Sequence, residues 1–157
     1  MMQKNNLKIT ALELQHVPQM AEIEKLCFSE PWSEETIYDE LDTPLSRYFV
    51  CTDNGRVLGY IGTRILLDEC DITNIAVHPD YRRRGIASIL LDELKRYVTE
   101  RKVTMLHLEV REGNVPARAF YEKSGFVAVG KRKNYYNLPT EDAILMTCLL
   151  EEKECSF

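Results

Sequence analysis

Asn74-Ile75-Ala76-Val77-His78-Pro79-Asp80-Tyr81-Arg82-Arg83-Arg84-Gly85-Ile86-Ala87 is the stretch that decides the fold. Ile75 and Val77 flank small Ala76 in the spacing of a β-strand, and Pro79, which has no N–H to give to a ladder, ends it. Three arginines follow, then a small-residue step at Gly85 and Ala87, where a helix starts and leaves room beside the backbone. A helix N-terminus carries unpaired N–H groups and the positive end of the helix dipole, so this turn is a natural seat for phosphate.

Working outward, hydrophobic periodicity divides the rest of the chain. Residues 7–11 alternate as a strand, and Val17, Met20, Ile23 and Leu26 recur at helical steps within 16–28, with Pro18 in the first turn. Ser33 caps a second, short helix that reaches Leu41, with Glu34 and Glu35 near its positive end. Residues 47–52 and 56–66 are strands joined by Asp53-Asn54-Gly55, a hairpin signal, and 68–77 is the next strand. Ile86, Leu90, Leu94, Tyr97 and Val98 mark one face of a helix running to about Lys102, and 103–110 reads as a strand. Asn114 caps a further helix that has Pro116 in its first turn and Gly125 as its stop. Residues 126–129 and 143–150 read as the last two strands, with 131–142 as the connection between them.

The order is therefore β-α-α-β-β-β-α-β-α-β-β. Hairpins join antiparallel strands, whereas the helix after residue 84 is a crossover between parallel ones. This predicts an α/β fold with a mixed, mostly antiparallel sheet and about four helices, in one domain over residues 1–157.

Composition narrows the function classes. The 157 residues are 45% apolar and 29% charged, as in a folded globular domain, and 20 basic against 25 acidic residues give a net charge of −5. An acidic chain argues against direct nucleic-acid binding, which wants a basic surface. No apolar run approaches the roughly 20 residues that cross a bilayer, so no membrane partner is expected. The opening residues Met1 to Asn6 lack a signal-peptide core. Five cysteines (Cys27, Cys51, Cys70, Cys148, Cys155) are an odd number without a CxxC pair, which fits thiols in a reducing cytoplasm. His16, His78 and His107 show no metal-ligand spacing, and no metal is expected.

Two motifs carry a family likeness. Arg82-Arg83-Arg84-Gly85-Ile86-Ala87 matches the Gln/Arg-x-x-Gly-x-Gly/Ala signature of the GNAT superfamily of acyl-CoA-dependent N-acetyltransferases. Asn114-Val115-Pro116-Ala117, Tyr121 and Gly125-Phe126 resemble its second landmark, Asn-x-x-Ala…Tyr…Gly-Phe, and the likeness spans nearly the whole chain. Glu30-Pro31-Trp32-Ser33, Leu108-Glu109-Val110-Arg111 and Arg132-Lys133-Asn134-Tyr135-Tyr136 further resemble the RimI group, protein N-terminal acetyltransferases typified by one acting on a small-subunit ribosomal protein. Ala87 stands where many members have glycine.

The resemblance implies a co-substrate and a division of labour. Acetyl-CoA is implied, with its pyrophosphate on the loop Arg83, Arg84, Gly85, Ile86, Ala87 and Ser88, and its pantetheine arm along the backbone of Ile75, Ala76 and Val77. Glu109, ending its strand, takes the family's base position, and the Tyr121 phenol takes the acid position, facing the strand ends if Phe120 packs inward. Asn114 both caps its helix and bonds the pantetheine. Trp32, Tyr135 and Tyr136 grip the acceptor peptide, although Trp32 reads equally well as a core plug. Glu30, Glu34, Glu35, Asp39, Glu40 and Asp42 form an acidic rim for a basic protein tail. The implied acceptor is a protein N-terminus, an alanine of a ribosomal protein. A small-molecule amine acetyltransferase and a non-catalytic acyl-CoA- or RNA-binding module stand as alternatives.

Overall fold

The structure, a computed structural model, describes residues 6–150. Its elements are β1 (Leu7–Ala11), α1 (Val17–Cys27), α2 (Glu34–Leu41), β2 (Ser46–Asp53), β3 (Arg56–Leu66), β4 (Glu69–Val77), α3 (Ile86–Glu100), β5 (Met105–Arg111), α4 (Val115–Lys123), β6 (Val127–Asn137) and β7 (Thr140–Leu149). Single 3₁₀ turns at Leu14–His16 and Pro79–Tyr81 precede α1 and α3. The order matches the expected β-α-α-β-β-β-α-β-α-β-β, and the strands form one seven-stranded sheet in the order β1-β2-β3-β4-β5-β7-β6. The β1–β2, β2–β3, β5–β7 and β6–β7 pairs are antiparallel, whereas β4 and β5 run parallel on either side of the α3 crossover.

The described residues fall into two units. One holds the chain up to Arg64 together with Thr73–Tyr97, and the other holds Ile65–Ile72 with the chain from Val98 onward.

The first unit is built on β1–β3. Asn54 and Gly55 both have positive φ (49° and 83°) between paired Asp53 and Arg56, which is the two-residue turn that suits the twist of a hairpin. Val17, Met20, Ala21 and Ile23 of α1 and Ile37 of α2 join Val50, Val57, Tyr60 and Ala76 in a buried cluster, so the helical stripe read from the sequence is the face that packs except at Leu26, which is exposed at the helix end. Ser33 Oγ accepts from the Thr36 N–H at 3.2 Å and caps α2. Ile86, Leu90 and Leu94 give α3 its buried stripe.

Gly62 on β3 is required for space. A methyl group there would overlap the Tyr48 ring and the Asn74 carboxamide. Gly62→Ala is expected to destabilise the protein by about 1–3 kcal/mol, the usual cost of overpacking, read as a lower urea midpoint. An unchanged midpoint would show that Tyr48 and Asn74 can move aside.

The second unit pairs β5 with β7 and β7 with β6. On β5, Leu106, Leu108 and Val110 are buried, while His107, Glu109 and Arg111 point to the other face. Helix α4 ends as the sequence implied, in a full Schellman closure. Gly125, at φ 99°, donates its N–H to Glu122 O (3.1 Å), and Phe126 N–H reaches back to Tyr121 O (3.0 Å).

Two boundaries differ from the sequence reading. Residues 131–142 are not a connection: β6 runs to Asn137 and β7 starts at Thr140, leaving only Leu138 and Pro139 between paired Asn137 and Thr140. The continuation of the strand read at 126–129 was hidden because β6 is exposed at every position but Tyr136, so it lacks the apolar alternation that marks half-buried strands. It also carries ladder irregularities between Ala128 and Gly130 and between Arg132 and Tyr136. The strand expected from residue 103 starts at Met105, because Val103 and Thr104 close the turn after α3, with Val103 N–H on Val98 O and Thr104 N–H on Asp68 O.

Candidate active site

In the first unit, the sequence that ends β4 and opens α3 makes a loop of unusual backbone. Arg83 and Gly85 both have positive φ (62° and 78°), which turns successive N–H groups toward a common side. Nothing lies within 4 Å of where a Gly85 side chain would begin, and Arg83, Arg84 and Ser88 are exposed while Ile86 is buried as the helix starts. The Arg84 guanidinium stacks over Tyr81, 5.5 Å from the ring centre, and Arg56 donates to the Tyr81 hydroxyl at 2.7 Å. Open backbone donors at the N-terminus of a 15-residue helix, flanked by exposed arginines, fit a phosphate-bearing ligand.

Ala76 is buried and Ile75 and Val77 are half-buried at the end of β4. Gly59 of β3 lets β4 approach closely, since a side chain there would meet Ala76 O at 2.7 Å. The Val77 carbonyl already accepts from Arg82 Nε (3.3 Å) and from the Cys27 thiol (3.5 Å), and Arg82 Nη2 contacts Cys27 Sγ at 3.3 Å. Burial pushes the Cys27 thiol up, with the Arg82 hydrogen bond opposing it. Arg82 thus braces the strand end, a role the signature alone did not separate from that of Arg83 and Arg84.

Trp32 is half-buried and packs against the core cluster, its ring 6.5 Å from that of Tyr48. Five of the six acidic residues of the expected rim are exposed, but Glu40 is not one of them. It is 9% exposed and accepts from Ser46 Oγ (2.7 Å), Arg64 Nη2 (3.0 Å) and the Tyr48 hydroxyl (3.4 Å). The helical period places Glu40 three residues after Ile37, on the inward face of α2, and the donors there make its burial tolerable.

In the second unit, four of the expected side chains are neighbours. Glu109 is partly open, its side chain 29% exposed, and Arg132 Nη1 lies 3.6 Å from its carboxylate. Tyr135 hydrogen-bonds Glu109, which raises the Tyr135 phenol above its ordinary range. Tyr136 is pushed up to about 12, first by burial and then by the Glu109 charge, and its ring sits 5.0 Å from Tyr135. Tyr121 is 7% exposed, and burial, followed by nearby Tyr136, holds its phenol well above the usual range. Tyr136 is thus the electrostatic neighbour of both Glu109 and Tyr121.

Tyr121, not Phe120, is the inward aromatic. Phe120 is only half-buried, whereas the Tyr121 ring packs on Phe126 with centroids 5.6 Å apart. The Schellman closure causes this, because it brings the residue after the glycine onto the one five positions earlier. Asn114 caps α4, accepting from the Ala117 N–H at 3.3 Å.

Two arginines in this group were not singled out from sequence. Arg132 pairs with Glu109, and Arg111 lies under Tyr136, 4.3 Å from its ring, while holding Glu141 at 3.2 Å and the carbonyls of Leu138 (3.3 Å) and Pro139 (2.9 Å). Period-2 spacing puts Arg111 on the Glu109 face of β5; their partners lie within 131–142, the stretch read from sequence as a connection. Among the described residues, Cys51, Cys70 and Cys148 are buried, and no helix is long and apolar enough to cross a membrane. Cys155 lies outside the described residues.

Comparison with known proteins shows the family and the fold. Residues 17–126 match the acetyltransferase (GNAT) family. The ribosomal protein bS18-alanine N-acetyltransferase of Escherichia coli K12 is 40% identical over 144 residues, covering 88% of this chain and 94% of the relative. The crystal structure of the Escherichia coli ribosomal-protein-S18-alanine N-acetyltransferase superposes with a TM-score of 0.85 at 35% identity, over 96% of this chain and 99% of that one. Ard1 of Thermoplasma volcanium gives a TM-score of 0.86 at 28% identity, over 94% and 99%. With the signature loop, the strand order and these relatives in agreement, the chain belongs to the GNAT family of acetyltransferases and resembles its ribosomal-protein alanine N-acetyltransferases.

Proposed function

We propose that the protein moves the acetyl group of acetyl-CoA onto the N-terminal α-amine of a protein, the preferred acceptor being a ribosomal protein that begins with alanine. The observation that carries the chemistry is the group around Glu109: a partly open carboxylate with Tyr135 and Tyr136 beside it and a protonated, buried Tyr121 close by. The relatives named for alanine acetylation of bS18 support the acceptor. A ribosomal-protein acceptor puts the enzyme in the cytoplasm.

The co-substrate supplies a thioester, whose acetyl carbon the amine attacks as the carbon–sulfur bond breaks. Arg83 to Ser88 hold its pyrophosphate through backbone N–H groups, with arginine charge assisting, and the backbone of Ile75 and Ala76 orients the arm. The Val77 carbonyl contributes less, being engaged by Arg82 and Cys27. Asn114 caps α4 through its oxygen, which leaves its amide hydrogens for the pantetheine. Glu109 takes the proton that the amine loses. An α-amine, with a pKa of about 7.7–8.0 against about 10.4 for lysine, asks little of such a base. Tyr121 returns a proton to the sulfur. Its raised pKa makes it a weak acid, but the burial that raises the phenol also raises a thiolate leaving beside it, so the transfer stays matched. Trp32, Tyr135 and Tyr136 meet the acceptor's first residues.

A mass-spectrometric assay tests the assignment, with acetyl-CoA, a panel of N-terminal peptides and matched internal-lysine peptides. Alanine-initiated peptides are expected to gain one acetyl group at the α-amine. Acetylation of lysine side chains with none at any N-terminus would overturn the acceptor.

A further inference from the structure

Glu24 on α1 is 2% exposed, and no step above uses it. A buried carboxylate is tolerated only where donors surround it, and three do. The Tyr60 hydroxyl of β3 and the Asn74 side-chain amide of β4 (3.1 Å) both donate to Oε1. The backbone N–H of Trp32 donates to Oε2 at 3.3 Å. Burial, with the Glu24 charge beside it, holds the Tyr60 phenol far above its ordinary range, so that hydroxyl is the donor. Two of these partners lie on core strands. The third belongs to the turn between α1 and α2.

The same turn is gripped from its other side. The Trp32 ring lies against Tyr48, whose hydroxyl donates to Glu40 and lies 3.4 Å from the Thr73 hydroxyl. Thr73 donates in turn to Asn74 Oδ1 at 3.0 Å. Tyr48 and Thr73 each spend their single hydroxyl proton elsewhere, on Glu40 and on Asn74, so the hydrogen-bonded network that ends on the backbone of Trp32 is Thr73–Asn74–Glu24. We propose that Glu24 is a positioning residue for acceptor recognition, fixing the Trp32 turn so that the side chains meeting the peptide keep one shape. This rests on the N-terminal acetyltransferase reading and adds to it what holds the specificity turn in place.

The site calls for a carboxylate and not merely for a polar group. With donors on both oxygens, a glutamine must aim its own NH₂ at either Trp32 or the Tyr60–Asn74 pair. An aspartate keeps two acceptors but is one methylene too short to reach both sets.

Trp32 is the one tryptophan in the sequence, so intrinsic fluorescence reports the turn without a label. In Glu24→Gln, acrylamide quenching of Trp32 is expected to rise. The KM for an alanine-initiated peptide rises roughly tenfold, the scale of one lost hydrogen bond to a charged group, while the KM for acetyl-CoA stays within about twofold. Preference for alanine over bulkier first residues flattens. Glu24→Asp gives intermediate values and serves alone if the glutamine variant does not fold. Wild-type quenching and wild-type peptide KM in a folded variant would overturn the proposal. So would a loss of kcat and of both KM values in proportion, which marks a general structural defect. A wild-type enzyme that acetylates no N-terminal peptide would remove the acceptor reading instead, and the quenching comparison would then decide the clamp by itself.

Discussion

Glu109→Gln is expected to lower kcat on an alanine-initiated peptide by about 10²-fold or more, with the Kd for acetyl-CoA unchanged. Removing a positioned general base typically costs this much. The amide keeps the size of the carboxylate and can still accept from Tyr135, so the neighbouring side chains stay in place. The pair with Arg132 is lost, but Arg132 is 58% exposed and an exposed pair contributes little to stability. The melt should therefore hold while turnover falls. What activity remains depends on amine that has already lost its proton, so it climbs with pH through about 7.7–8.0, the α-amine range. Single-turnover rates across pH, set beside calorimetric binding of acetyl-CoA, separate the two effects. Unchanged turnover would remove Glu109 as the base.

Tyr121→Phe is the second large effect, also about 10²-fold in kcat, again with cofactor affinity kept. The ring's packing on Phe126 and the Schellman closure depend on the aromatic face and the backbone, so phenylalanine preserves both. Only the hydroxyl is removed. The sign of the pH dependence follows from burial, which raises the phenol pKa. Tyr121 therefore keeps its proton throughout the neutral range and beyond the ordinary phenol value near 10. Wild-type kcat should show no fall between pH 7 and 10 from ionisation of this group. A descending limb in that range that disappears in Tyr121→Phe would contradict the burial argument, and an undiminished rate in the variant would end the acid role.

Residues 74–87 were decisive because their constraints are local. A proline without a donor, a glycine that turns out to need φ 78°, and a buried isoleucine that opens a helix are each legible one residue at a time. Asn54-Gly55 and Asn114…Gly125 are of the same kind, and the hairpin and the α4 boundaries follow from them. What escaped the sequence was whatever depends on a partner far along the chain. Glu24 looks like one more polar position in α1 until Tyr60, 36 residues away, and Asn74, 50 residues away, are seen to donate to it. Glu40 counts as rim charge by composition and as interior by helical phase, and phase decides. Tyr121 could not be told from Phe120 by periodicity alone, because the capping geometry beyond Gly125 selects which ring turns inward. The far half of β6, from Gly130 to Asn137, escaped for a different reason: a strand with almost every position exposed leaves no hydrophobic signature.

That last property reaches beyond the fold. Tyr135 is exposed on a strand whose one half-buried position is Tyr136, and exposed positions usually tolerate substitution within about 0.5 kcal/mol. Of the tyrosines proposed to meet the acceptor, Tyr135 is thus mounted where sequence can drift without endangering folding, while Tyr121, the proposed proton donor, is buried where it cannot. Across descendants of this chain, peptide preference should diversify along β6 long before the chemistry changes.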